Sequence, residues 1–240
     1  MSKADAKPQP LPRLDISAFF PAYNEADNLE ALTRRTAETL ARVAGRWEII
    51  IVDDGSRDHT PEVARKLAAE IPQVRYLRHE RNQGYGGAVK TGLREAKLEW
   101  IFFTDGDGQF DTRELERLLP AAAAADFVAG YRLKRRDPFM RLLNAWAWGT
   151  MVRTLFGLSV RDIDCAFKLF RRRVVDQVEF KASGAMISTE LLARAKKAGY
   201  RFAQVGVNHY PRTAGTQTGA KLSVIARAFR ELFKLYRELK

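Results

Sequence analysis

The stretch Trp100-Ile-Phe-Phe-Thr-Asp-Gly-Asp-Gly-Gln-Phe110 decides how the rest of the chain is read. Its first four residues, Trp100 to Phe103, form a short, continuous apolar run that fits a strand buried on both faces. The run ends in Asp105-Gly106-Asp107-Gly108-Gln109, two carboxylates one residue apart among glycines. In an open α/β sheet, ligands bind beyond the carboxyl ends of the strands, where this pair would emerge. Carboxylates that close repel each other unless a cation or a donor network lies between them. Hard oxygens carried on short side chains suit Mg²⁺ or Mn²⁺, particularly where phosphates complete the coordination shell. A solvated Asp-Gly turn is the bland alternative. The strand ahead and Gln109 behind favour a metal–phosphate site.

Working outward, strand and helix patterns alternate through the first half. Leu14 to Phe20 reads as a strand, followed by the loop Pro21-Ala-Tyr-Asn-Glu25 and a helix from about Glu25 to Ala44. Asn24 or Asp27 is placed to cap that helix and Gly45 to close it. Trp47 to Val52 is too apolar for anything but a sheet interior, and it runs into Asp53-Asp54-Gly55-Ser56. A helix over 58–70, a strand over 74–78, the glycine-rich Asn82-Gln-Gly-Tyr-Gly-Gly87 and a helix to Lys97 lead to Trp100. A helix over 112–124 and a strand over 126–129 follow. This rhythm predicts an α/β fold with a mostly parallel, doubly wound sheet flanked by helices. Neither a P-loop nor a dinucleotide fingerprint is present, which argues against ATPase and dehydrogenase readings. The Asn82–Gly87 segment reads first as a tight turn and second as a nucleotide contact.

Composition bounds the partners. The 240 residues are 46% apolar and carry a net charge of +12, which calls for an anionic partner: nucleic acid, a membrane surface or a phosphorylated substrate. One cysteine, Cys165, excludes an intramolecular disulfide framework and fits a reducing compartment. His59, His79 and His209 lack metal-ligand spacing and read as ordinary surface or hydrogen-bonding residues. Residues 1–12, polar with three prolines, read as a disordered lead-in to one domain over 13–240. No secretory signal and no spanning apolar segment is evident, so the expectation is a cytoplasmic chain, peripheral at a membrane surface.

The second half departs from the alternation. Residues 138–158 are apolar, with Trp146 and Trp148 among them, and suit either a helix lying at a membrane surface or a buried core helix. Asp162 to Phe170 returns to the sheet. Glu190 heads a helix over 188–198, with a dipole role or a sugar-hydroxyl contact both open, and a strand covers 200–208. A C-terminal helix over 220–239 is amphipathic, with Leu222, Ile225, Phe229, Leu232, Phe233 and Tyr236 on one stripe and Arg227, Arg230, Lys234 and Arg237 on another. That basic stripe is open to solvent or to anionic lipid.

Four motifs now stand in order: Phe20-Pro-Ala-Tyr-Asn-Glu25, Ile51-Val-Asp-Asp-Gly-Ser-Arg-Asp58, Arg81-Asn-Gln-Gly84 and Asp105-Gly-Asp107. Together they resemble the family 2 glycosyltransferases of GT-A (Rossmann-like) fold, and within these the dolichyl-phosphate mannose synthases and related polyprenyl-phosphate sugar synthases. The resemblance implies that Pro21, Tyr23, Glu25, Val52 and Asp54 line the nucleotide pocket of the donor. It implies that Asp105, Asp107 and Gln109 hold the Mg²⁺ or Mn²⁺, with Gly106 against the ribose side. Gly130-Tyr131-Arg132 is similar to the family's G-x-R strand end, whose arginine meets phosphate, and a guanidinium fork suits that role. Arg212 and Lys221 resemble the late basic pair that closes over the donor.

The implied activity is inverting transfer of a hexose, mannose favoured and glucose open, from GDP-mannose or UDP-glucose to a polyprenyl or dolichyl phosphate. A monophosphate acceptor with a second pKa near 6 is already ionised at neutral pH, so it needs no dedicated general base. Placement and neutralisation of the leaving diphosphate remain for the protein, with Asp107 and Arg132 as the catalytic candidates. Transfer to a soluble sugar or protein hydroxyl is the alternative. A non-catalytic nucleic-acid binder is the competing class, disfavoured by the acids on the ligand edge. A membrane-protein partner could hold the chain at the surface in place of lipid.

Overall fold

The computed structural model describes the backbone of residues 13–133, 139–176, 178–212 and 222–240, and their side chains except at 139–144 and 222–227. The expected lead-in over 1–12, the basic residues Lys134, Arg135 and Arg136, and the donor-closing Lys221 lie outside the described residues.

The first half is β1 (Leu14–Ala22), α1 (Ala26–Val43), β2 (Ala44–Asp53), α2 (Thr60–Glu70), β3 (Val74–Arg78), α3 (Tyr85–Glu95) and β4 (Trp100–Phe103). The second half is a 3₁₀ turn at Thr112–Glu114 with α4 (Leu115–Ala122), β5 (Phe127–Arg132), α5 (Phe139–Phe156), β6 (Lys168–Arg171), α6 (Met186–Lys197), β7 (Phe202–Val207) and α7 (Leu222–Leu239). All seven strands join one sheet in the order β3-β2-β1-β4-β6-β5-β7. β1 sits between β2 and β4, all three parallel, and its Ile16, Ala18, Phe19 and Phe20 are wholly buried. This is why Ala18–Phe20 of β1 and Ile49–Val52 of β2 are unbroken apolar runs and do not alternate.

The sheet is mostly parallel, as the alternation predicts, with one reversal. β6 runs antiparallel to both β4 and β5, pairing Lys168 with Phe103 on one side and with Ala129 on the other. The expected strand over 162–170 is therefore shortened to Lys168–Arg171. Residues 162–165 instead form a loop at the edge where β5 ends, held there by an ion pair between Asp162 and Arg132 and by Lys168, which donates to the carbonyls of Ile163 and Cys165. Gly45 does not close α1. The helix stops at Val43, Ala44 turns to extended backbone and pairs with Leu14, so strand pairing takes the chain before a glycine C-cap can form.

Candidate functional site

The loops after β1, β2 and β4 meet at one edge of the sheet, and the sequence builds their junction locally. Asn24 adopts a left-handed backbone (φ +57°). Its N–H donates to Ser56 Oγ at 3.0 Å, and its Oδ1 accepts from Arg57 N–H at 2.9 Å. The first N–H groups of α1 are satisfied from this second loop: Glu25 N–H donates to Thr60 Oγ1 (2.8 Å) and Ala26 N–H to Asp58 Oδ2 (3.3 Å). The cap expected from Asn24 or Asp27 thus comes from across the junction. A helix start needs acceptors for its free N–H groups, and whether they are local or distant is a tertiary matter.

The adjacent acids Asp53 and Asp54 have separate roles. Asp53 is fully buried and accepts from Ser56 N–H (2.8 Å) and the Tyr76 hydroxyl (2.8 Å), with Arg78 at 3.5 Å. Asp54 accepts at Oδ1 from His79 Nδ1 (2.7 Å) and Gln83 N–H (2.8 Å). Pro21 and Val52 pair across β1 and β2 and are buried, so they form the floor beneath the edge and present no open side-chain surface. Tyr23 is 40% exposed, free to lie against a planar ligand.

The β4 loop is set by close backbone contact. A Cβ on Gly106 would stand 2.6 Å from the Pro21 carbonyl oxygen, which only glycine avoids. Asp105 and Asp107 follow from that contact. Tyr85 donates its hydroxyl to Asp105 Oδ1 at 2.8 Å. Burial first, and then the charge of Asp107, push the Asp105 carboxyl up to about 7, while the Tyr85 bond, Lys168 and Arg132 pull the other way. Burial likewise raises Glu25, against the pull of Asn28 and Arg212 and with Asp107 adding to the rise. The charge of Asp107 thus acts on both Asp105 and Glu25.

Tyr85 comes from the glycine-rich segment, whose residues 82–84 form a loop and whose Tyr85-Gly86-Gly87 open α3. Gly86 lies directly on the backbone of Ser183, where a Cβ would meet carbon at 2.6 Å. The glycines serve helix packing, and the tyrosine between them reaches the carboxylate.

After β7 the chain crosses over the β4 loop as a strap. Tyr210 N–H donates to Gln109 O and Gln109 Nε2 to Tyr210 O, both at 2.9 Å, and Asn208 bonds Glu114. Arg212, at the end of the strap, forms an ion pair with Glu25. The structure thus brings Tyr23, Glu25, Asp54, Asp105, Gly106, Asp107, Gln109 and Arg212 to one edge.

Arg132, which the motif resemblance assigns to phosphate, is largely buried. Asp162 takes Nε at 2.7 Å and Nη2 at 2.8 Å, leaving Nη1 without a protein hydrogen bond among the described residues. Burial opposes the charge, but Asp162 more than offsets it and keeps the guanidinium protonated. A cavity of about 260 Å³ opens beside this pair, lined among others by Tyr131, Trp146, Arg153, Arg161 and Asp164. Sequence patterning does not single out Asp162, Lys168 or Tyr85, and gives His79 no more than an ordinary role. A lysine and two aspartates inside the apolar D-I-D-C-A-F-K run are the available signal for the first two.

Glu190 is buried and accepts from the N–H groups of Lys181 (3.0 Å) and Ala182 (2.8 Å) and from Arg194. It lies within α6, its oxygens occupied, so neither a helix-head dipole role nor a sugar contact fits. On the outer face, Trp146 is 64% exposed while Trp148 packs edge-on against Phe229 at 5.4 Å. The two readings of residues 138–158 divide between these tryptophans. On α7, Leu232 and Leu235 are buried, whereas Phe229 and Phe233 of the expected packing stripe are 39% and 53% exposed. No described helix is long and apolar enough to cross a membrane.

The residues present fit a divalent cation. Among the described residues no cluster of three acids, histidines or cysteines forms a complete cage. Beside Asp107, the Asp105 carboxylate is destabilised by burial and by its neighbour's charge. The pair is the donor set of a hard cation whose remaining ligands come from phosphate and water.

Comparison with known proteins agrees with this geometry. The family model described as "Glycosyl transferase family 2" matches residues 17–179. The glycosyltransferase AglD of Haloferax volcanii is 31% identical over 83% of this chain and 34% of its own length. The dodecaprenyl-phosphate galacturonate synthase of Rhizobium johnstonii is 27% identical over 94% of this chain and 67% of its own. The chain thus spans about a third of one of these relatives and two thirds of the other. Among solved structures, glucosyl-3-phosphoglycerate synthase from Mycobacterium tuberculosis, in complex with Mn²⁺, uridine diphosphate and phosphoglyceric acid, superposes with a TM-score of 0.72. It is 18% identical, over 94% of this chain and 78% of its own, a likeness of fold. The motif residues, the sheet order and the family match place this chain in glycosyl transferase family 2.

Proposed function

We propose that the chain is an inverting transferase that moves a hexosyl group from a nucleotide-sugar to a polyprenyl phosphate at a membrane surface. The observation that carries this reading is the pairing of two different sites on strands separated only by β6. A carboxylate edge stands at β1, β2 and β4, and an arginine-lined cavity lies beside Arg132 at the end of β5. The first suits a metal-bound diphosphate and the second an anionic acceptor. The polyprenyl phosphate named in the Rhizobium relative, and the exposed Trp146, Phe229 and Phe233, support the choice of acceptor and its location. The motif resemblance favours mannose as the sugar and leaves glucose open, with either GDP or UDP as the carrier.

In this reading Tyr23 and Asp54 seat the base, and Asp105, Asp107 and Gln109 hold Mg²⁺ or Mn²⁺. That ion, when bound, neutralises charge on the leaving diphosphate. Arg212 exchanges Glu25 for donor phosphate, so strap and donor close together. Arg132, held in orientation by Asp162, offers Nη1 to the acceptor phosphate. An ionised phosphate oxygen attacks C1 of the sugar, the C1–O bond to the nucleoside diphosphate breaks, and its electron pair leaves with the diphosphate. The configuration at C1 inverts and no proton need be removed.

The test is transfer from radiolabelled nucleotide-sugars with and without polyprenyl phosphate, and with EDTA. Transfer to the lipid alone, lost in EDTA and in Asp107→Asn, supports the reading. Equal turnover on soluble sugars without the lipid overturns the acceptor, and full activity of Asp107→Asn overturns the metal site.

A further inference from the structure

The donor-site reading leaves the base open, and the environment of Asp54 narrows it. An ionised aspartate offers roughly four lone-pair positions, two on each oxygen. Both positions on Oδ1 are used inside the protein, one by His79 Nδ1 at 2.7 Å and one by Gln83 N–H at 2.8 Å. A carboxylate oxygen only accepts, so the imidazole proton sits on Nδ1. The opposite nitrogen, Nε2, meets Thr91 Oγ1 at 2.9 Å, and both His79 and Thr91 are buried. His79 N–H in turn donates to Asp53 O at 2.9 Å. Helix α3, the 79–83 loop and the end of β2 thus fix one oxygen of Asp54. Oδ2 has no protein hydrogen bond among the described residues.

We infer that Asp54 forms a one-acceptor seat that takes uracil in preference to guanine, with His79 as the positioning residue that makes it so. Guanine presents two adjacent donors, N1–H and N2–H, and a carboxylate reads them by giving one oxygen to each. Uracil presents a single N3–H between two carbonyls. One open oxygen satisfies the uracil edge and leaves a guanine donor unpaired, and desolvated donors left unpaired are what discriminate sharply between related ligands. The surroundings match the acceptor-rich flanks of uracil. The 55 and 81–82 backbones touch, a Cβ on Gly55 standing 3.0 Å from Arg81 C and Asn82 N, and the exposed Arg57, Arg81 and Gln83 lie on these loops. Asp53 and Asp58 are occupied by internal donors, which leaves Glu80 as the exposed acid of the group.

This inference rests on the donor-site reading, and one titration series separates the two. Affinities of the full chain for UDP and GDP are measured by calorimetry in Mn²⁺, where the diphosphate contribution is common and cancels in the ratio. UDP binding at least tenfold tighter is expected. His79→Leu, which frees Oδ1 as a second acceptor, should reduce that ratio at least fivefold. His79→Asn, whose amide can still donate to Oδ1, should restore most of it. If His79→Leu folds poorly, Thr91→Val loosens the imidazole from behind and should lower the ratio in the same direction. GDP binding as tightly as UDP to the unaltered chain overturns the inference and leaves the nucleotide site standing. Binding of neither nucleotide overturns both. A ratio unmoved in His79→Leu and Thr91→Val removes His79 from the role.

Discussion

Asp105→Asn should make the metal-free protein more stable above neutral pH while abolishing its response to metal. The carboxyl ordinarily titrates at 3.8 and is pushed up to about 7 in the fold, chiefly by burial and then by Asp107. Each tenfold loss of acidity corresponds to about 1.4 kcal/mol against the ionised form. The rise from the ordinary carboxylate range to near neutrality therefore makes ionisation in place cost about 4 kcal/mol as an upper bound, and that cost belongs to the Asp105–Asp107 pair jointly. The sign follows from proton linkage. Between pH 4 and 7 the folded state binds the proton and the unfolded state has lost it, so stability falls as pH rises through that window and levels off above 7. Asparagine carries no charge to desolvate, and its Oδ1 can still accept from Tyr85. Thermal melts in EDTA should therefore show the variant ahead of the unaltered chain at pH 8. At about 2–4 °C per kcal/mol for a chain of this size, the gain should be at most about 8–16 °C and should shrink towards zero at pH 4–5. Millimolar Mn²⁺ should raise the midpoint of the unaltered chain and leave the variant in place. A variant less stable at pH 8, or a difference that does not change with pH, would refute the claim that this edge stores charge repulsion for a cation.

Further substitutions probe the neighbouring elements. Arg132→Lys should raise the acceptor KM more than tenfold with little change in nucleotide affinity by calorimetry, because an ammonium cannot reproduce the planar fork that holds Asp162 at two nitrogens and aims the third at the acceptor. Arg132→Met should also lower stability by about 3–5 kcal/mol in urea unfolding, since Asp162 loses the guanidinium that balances its largely buried charge. Trp146→Ala should leave the thermal midpoint within error and weaken sedimentation with anionic vesicles, the loss growing as salt rises to physiological strength and screens the remaining basic contacts. Trp148→Ala should instead lower the midpoint through its lost contact with Phe229, by less than the about 3–5 kcal/mol of a fully buried aromatic. Glu190→Gln should destabilise by about 1–3 kcal/mol, because an amide cannot accept at both positions from Lys181, Ala182 and Arg194, and should leave kcat per folded molecule unchanged.

The strands that carry the site are legible without coordinates, because burial on both faces leaves an unbroken apolar run and the acids must stand where such a run stops. Trp47–Val52 before Asp53 and Asp54, and Trp100–Phe103 before Asp105 and Asp107, can be read for that reason, and the motif resemblance adds which acids to pair with which role. Tertiary structure decided what those acids touch. Asp53 and Asp54 are adjacent in sequence, yet one is consumed by Ser56 and Tyr76 while the other keeps one oxygen open. The difference arises from β3, the 79–83 loop and α3, none of which is local to the motif. Glu190 reads as a free acid at a helix head and is an internal acceptor for a loop nine residues earlier. Arg132 is implied by the motif resemblance to meet phosphate, but that Asp162, thirty residues on, holds it is decided by the fold, in which β6 runs backwards through the sheet. Periodicity records which residues are buried and in what element. It does not record strand order or direction, and those fix the partner of every charged side chain at this edge.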